Sequence, residues 1–135
     1  MSDILAGELP NSLPEGINMK KNNYYVCPLC GHITFSTGGA LTLSCCGRKL
    51  EPLTPFSAPP EQRLTVEPYE DGYYISSPHP MTKEHFISFV AFATGESLQI
   101  FKQYPEWELQ VHLPLRRHGT LLWYSAQEGM LFQRI

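Results

Sequence analysis

Tyr25-Val-Cys-Pro-Leu-Cys-Gly-His32 and Leu43-Ser-Cys-Cys-Gly-Arg-Lys-Leu50 decide how the amino-terminal third of the chain folds. All four cysteines, Cys27, Cys30, Cys45 and Cys46, lie in these two stretches. The Cys-x-x-Cys spacing sets two sulfurs at one pole of a metal ion, and the adjacent pair closes the other pole. Four soft donors in a tetrahedron suit zinc or iron. Disulfides are the rival reading, and the adjacent pair speaks against them. Neighbouring Cα atoms are about 3.8 Å apart, shorter than the usual span across a bridge. Fourteen residues separate Cys30 from Cys45, enough for a hairpin that brings both pairs to one ion.

The totals narrow the setting. At 135 residues the chain has room for one or two small domains. Its 42% hydrophobic and 12% aromatic content fits a globular chain with a core. A net charge of −3 gives no basic excess for nucleic acid or an anionic membrane. The apolar runs are too short for a transmembrane helix. The start, Met1-Ser-Asp-Ile-Leu-Ala-Gly-Glu-Leu-Pro10, lacks the basic and apolar parts of a signal peptide. The expectation is a cytoplasmic, reducing location, which also favours metal over disulfide.

Around the cysteines, residues 1–23 read as a polar arm and 24–50 as a metal-binding ribbon, with short strands at Thr34-Phe35 and Leu41–Leu43 about a turn at Thr37–Gly39. So small a unit relies on its metal to fold. His32 reads as a turn residue beside a ligand, with a fifth or alternative ligand as the second reading. Residues 51–63 carry Pro52, Pro55, Pro59 and Pro60 and read as a stiff linker. Residues 64–135 read as strands throughout: Leu64–Val66, Tyr73–Ile75 after an Asp71-Gly72 turn, the two-faced apolar run Phe86–Phe92, Leu98–Phe101, Leu121–Tyr124 and Met130–Phe132. Trp107, Leu109, Val111 and Leu113 alternate with polar residues and predict one more, half-buried strand. Such spacing predicts an all-β fold, with the ribbon followed by an antiparallel β-sandwich.

His79-Pro-Met-Thr-Lys-Glu-His85 places two histidines around a tight turn before the most apolar strand. That arrangement can aim both imidazoles at one metal. On spacing alone, two solvated loop histidines is the plainer reading. His112 falls on a polar strand face, and His118 lies in a turn, Arg116-Arg-His-Gly119.

From about Tyr24 to Ile135 the sequence resembles desulfoferrodoxin, the two-domain superoxide reductase. The ribbon resembles its desulforedoxin-like domain through Cys27-x-x-Cys30-Gly31 and Cys45-Cys46-Gly47. His79-Pro-Met-x-x-x-His85-Phe-Ile87 is similar to that family's His-Pro-Met-x-x-x-His-aromatic-Ile motif. The resemblance implies an immunoglobulin-like sandwich behind the ribbon and a homodimer. It implies one iron on four thiolates, and a second on four histidines and a cysteine with an open position for superoxide. His79 and His85 match two of those histidines. Gln62 stands where the family has a catalytic lysine, and Arg63 where it has the first histidine. Near the carboxy terminus Ser125 replaces the cysteine and Glu128 the last histidine. The second site is then His79, His85, Glu128 and Ser125, without the thiolate that tunes the iron of its relatives. No catalytic residue is assigned.

Two functions follow as expectations. One is a metalloprotein with an intact ribbon centre holding iron or zinc and a degenerate reductase site, serving electron transfer with a redox partner protein or a structural role. The other is a superoxide reductase, or another non-haem iron oxidoreductase, with a remodelled His/Glu site.

Overall fold

The structure, a computed structural model, describes residues 22–38 and 41–135. The expected arm falls outside them up to position 21, as does Gly39 of the expected Thr37–Gly39 turn. The chain divides into two compact units, Met1–Thr54 and Pro55–Ile135. Among the described residues no helix is long and apolar enough to cross a membrane.

In the first unit, β1 (Asn22–Val26) pairs antiparallel with β2 (Ile33–Thr37), and β3 (Leu43–Cys45) with β4 (Arg48–Leu50). β1 begins inside the stretch read as an arm: Asn22-Asn23 looks like loop, yet pairs with Ser36 and Thr37. Cys46 (φ 53°) and Gly47 (φ 76°) form the two-residue turn between β3 and β4. Left-handed backbone at both central positions matches the right-handed twist of the flanking strands. Tyr25, Cys27 and Leu50 are buried, with Leu43 and Cys45 packed against them. The Tyr25 hydroxyl accepts the Leu41 N–H at 2.9 Å, fixing the return of the chain.

The second unit is built from two sheets. One has the order β10-β7-β6, from β6 (Thr65–Tyr69), β7 (Gly72–Ser76) and β10 (Gln110–Leu113). The other runs β5-β12-β11-β8-β9, from β5 (Phe56–Ser57), β8 (Ile87–Ala93), β9 (Leu98–Lys102), β11 (Thr120–Ser125) and β12 (Gly129–Arg134). Ile75, Val111 and Leu113 of the first share one core with Ile87, Val90, Phe92, Leu121, Trp123 and Leu131 of the second. β8 lies between β11 and β9, and its other-face residues Phe89, Ala91 and Ala93 are buried too, as its unbroken apolar run predicts. Gly72 is required by close approach, because a Cβ there would lie 1.7 Å from the Leu113 carbonyl oxygen.

Two expectations need correction. The strand predicted from Trp107 starts only at Gln110; Trp107 is 68% exposed and tilts against Tyr104 at 5.4 Å. Glu106 takes φ 68° and gives its N–H to the Met81 carbonyl, so the chain turns where the pattern suggested extension. The proline-rich 51–63 stretch is also not all linker. Phe56-Ser57 pairs parallel with β12, and Pro60–Gln62 forms a 3-10 turn. An edge strand tolerates flanking prolines because one side needs no N–H donors.

Buried Gln133 fastens this segment to the sandwich. Its Oε1 accepts the Leu64 N–H at 2.7 Å and its Nε2 donates to the Leu64 carbonyl at 3.2 Å. Gln133→Leu is expected to leave both backbone groups unpaired and cost about 1–3 kcal/mol of sandwich stability. Urea unfolding followed by tryptophan emission checks this, and a midpoint equal to wild type refutes it.

Candidate metal centres

The first knuckle is shaped by its backbone. Gly31 takes φ +77° and donates its N–H to the Cys27 carbonyl at 2.9 Å, while the Cys27 N–H donates to the His32 carbonyl at 3.0 Å. This curls Cys27 and Cys30 toward one point, and the Cys46-Gly47 turn brings the second pair to it. The four sulfurs lie within 4.8 Å of one another, with 3.4 Å between Cys30 and Cys45 and 3.9 Å between Cys45 and Cys46. A tetrahedron of sulfurs about 2.3 Å from a zinc ion has edges of about 3.8 Å. All four cysteines are free thiols, so the two-disulfide reading does not describe this chain. The cluster can hold a metal ion.

Three of the thiols are shifted, in opposite directions. The backbone N–H groups of Cys30 and Leu29 pull the Cys27 thiol down to about 6. Hydrogen bonding to the Cys30 and Cys27 sulfurs pushes Cys45 up to about 12, and the same neighbours raise Cys46. Without metal, a thiolate at Cys27 is thus set beside Cys45 and Cys46, which keep their protons. A cation would displace those protons.

The second cluster joins two loops at one end of the sandwich. His79 and His85 sit between β7 and β8. The His79 N–H is held by the Ser77 hydroxyl at 3.0 Å. His85 is held by a turn with Thr82, whose hydroxyl accepts the His85 N–H at 3.0 Å. Glu128 sits in the β11–β12 turn, just past a register shift at Tyr124/Ser125. Bulges of this kind re-aim side chains at the rims of sheets. Glu128 Oε1 lies 2.8 Å from His79 Nε2, and Oε2 lies 3.1 Å from His85 Nε2. The rings of His79 and His85 meet edge to face at 4.6 Å. The three side chains place ligand atoms within 4.8 Å of one another.

Ser125 stands in a different relation. Its buried hydroxyl donates to Glu128 Oε1 at 2.5 Å and accepts the Glu128 N–H at 3.1 Å. In this geometry it orients the carboxylate. The Ser-x-x-Glu spacing over 125–128 carried that signal, as it does where a serine caps a turn. The Pro80 carbonyl, which the sequence reading missed, accepts from His79 Nδ1 at 2.6 Å. A carbonyl only accepts, so Nδ1 carries the proton. His79 Nε2 therefore faces the carboxylate either as the second N–H of an imidazolium or as a lone pair beside a cation. Fixing one ring nitrogen to a backbone carbonyl is how metal-binding histidines are commonly oriented.

The segment aligned with the family's lysine and first histidine contributes differently. Glu61 and Gln62 lie in the 3-10 turn and are exposed. Arg63 donates its Nε–H to the Ala58 carbonyl at 3.2 Å. His112 is exposed, as its place on a polar strand face predicts, and His118 is exposed too.

No family model matches the chain, and no curated protein sequence matches it. Among solved structures, the crystal structure of the superoxide reductase from Treponema pallidum is similar, with a TM-score of 0.72 at 14% identity over 84% of this chain and 98% of that one. At that identity the likeness is one of fold, and the chain has an all-β, superoxide-reductase-like fold.

Proposed function

We propose that this is a desulfoferrodoxin-like metalloprotein whose working centre is one iron or zinc ion on Cys27, Cys30, Cys45 and Cys46. The observation that carries the reading is the convergence of the four free thiols within 4.8 Å. Iron on four thiolates supplies a one-electron couple, whereas zinc supplies a structural node. In the sandwich most of the ligands of a reductase iron are replaced, so its role is structural or interactive. The protein works in the cytoplasm as a homodimer, and in its iron form takes electrons from a redox partner protein.

A second reading rests on the other cluster. His79, His85 and Glu128 present two imidazoles and a carboxylate, a donor set suited to ferrous iron or zinc with positions left open. The Nδ1–H of His79, tied to the Pro80 carbonyl, supports it. This reading makes the protein a superoxide reductase or other non-haem iron oxidoreductase with altered ligands.

Elemental analysis and absorption spectroscopy of anaerobically purified protein separate the readings. The first expects about one metal per chain, coloured by sulfur-to-iron charge transfer or colourless with zinc. The second expects about two. A metal-free protein that takes up none from added iron or zinc overturns both.

A further inference from the structure

The sequence leaves His32 either a turn residue or a further ligand, and its side chain reaches the ribbon sulfurs. Its Nδ1 lies 3.4 Å from Cys30 Sγ and 4.0 Å from Cys45 Sγ, and those two sulfurs are 3.4 Å apart. The imidazole therefore sits over one edge of the sulfur cluster. The backbone that carries the ring is fixed, because the His32 carbonyl accepts the Cys27 N–H at 3.0 Å.

The sulfurs differ in what serves them. Cys27 is buried and receives the backbone N–H groups of Leu29 and Cys30. Cys30 is exposed, and the His32 ring is the side-chain nitrogen beside it. We infer that His32 is a positioning and tuning residue of the ribbon centre, donating its Nδ1–H to the Cys30 sulfur and, at longer range, to the Cys45 sulfur. The inference rests on the proposed four-cysteine centre. A hydrogen bond to a metal-bound thiolate draws electron density from the sulfur, weakening its donation and favouring the more reduced state. It also shields the exposed edge of the cluster from water and competing ligands.

The test uses the full chain loaded with cobalt(II), whose sulfur-to-metal charge-transfer bands report thiolate donation, and with zinc for release to a chelator. His32→Ala is expected to move the charge-transfer band to lower energy and to speed zinc release at least about tenfold, the loss of one hydrogen bond to a charged group. His32→Gln, which keeps an N–H donor, is expected to restore most of both. In an iron-loaded chain, His32→Ala is expected to lower the reduction potential. Band and release rate unchanged in His32→Ala would overturn the inference. So would nitrogen coupling to cobalt that is lost in the variant, because the imidazole would then be a ligand itself. A wild-type chain that binds no cobalt would instead sink the four-cysteine reading, so the two failures are told apart.

Discussion

Cys27→Ser is expected to lower affinity for the ribbon metal by more than about a hundredfold and to unfold the first unit. Cys27 differs from its three partners in being buried, at 1% exposure, and in forming the core of the first unit with Tyr25 and Leu50. It is also the sulfur that two backbone N–H groups prepare as a thiolate, with its pKa drawn down to about 6. Serine keeps the shape but stays protonated near neutrality, so it is a poor ligand. With so few buried side chains, metal binding and folding of this unit are one event. The sandwich has its own core, which holds Trp123, and the other tryptophan of the chain, Trp107, lies exposed in the same unit. The expected result is thus split: rapid proteolysis of residues 22–54 with tryptophan emission unchanged. Stoichiometric metal in the variant would remove Cys27 from the ligand set.

The ribbon was legible because its signal is local. Cysteine spacing and the glycines at 31 and 47 determine both which thiols converge and the turns that bring them together. Uninterrupted apolar runs gave β8, β11 and β12 for a similar reason, since a strand buried on both faces needs nothing but apolar residues. What escaped notice depends on partners far along the chain. Trp107 extends a period-two pattern, but the Met81 carbonyl captures the Glu106 N–H and the strand starts later. Phe56-Ser57 carries no alternation and becomes a strand only because β12 offers a free edge. In the second cluster, the histidine pair and the aligned Glu128 were legible. The Pro80 carbonyl that fixes the His79 tautomer is a backbone group, which no side-chain motif encodes. His32 stands next to the first cysteine pair in the sequence, but only the fold of the knuckle turns its ring toward sulfur.

Glu128 separates a metal site from a hydrogen-bonded bridge between two histidines. Burial alone would raise its carboxyl. Hydrogen bonds from Ser125 and His79, the charge of His79 and a hydrogen bond from His85 outweigh that and hold it below the ordinary value of 4.5. A lowered pKa in the folded state stabilises the fold above the unfolded value, and the gain disappears as pH falls through the folded one. Metal-free wild type is thus expected to lose sandwich stability below about pH 4.5. In Glu128→Gln that part of the acid slope should vanish, because the amide does not titrate. With metal the effect is larger. Glu128→Ala leaves two imidazoles and no anion, and affinity at this site is expected to fall by more than about a hundredfold. Under the second reading, stoichiometry would drop from two metals per chain to one, with the ribbon spectrum untouched. His79→Ala should have the same consequence, since it removes the imidazole whose tautomer the Pro80 carbonyl sets. A wild-type chain holding one metal, with the acid slope still abolished in Glu128→Gln, would assign the cluster to structure alone. An acid slope identical in wild type and Glu128→Gln would show that the carboxylate does not bridge the histidines in solution.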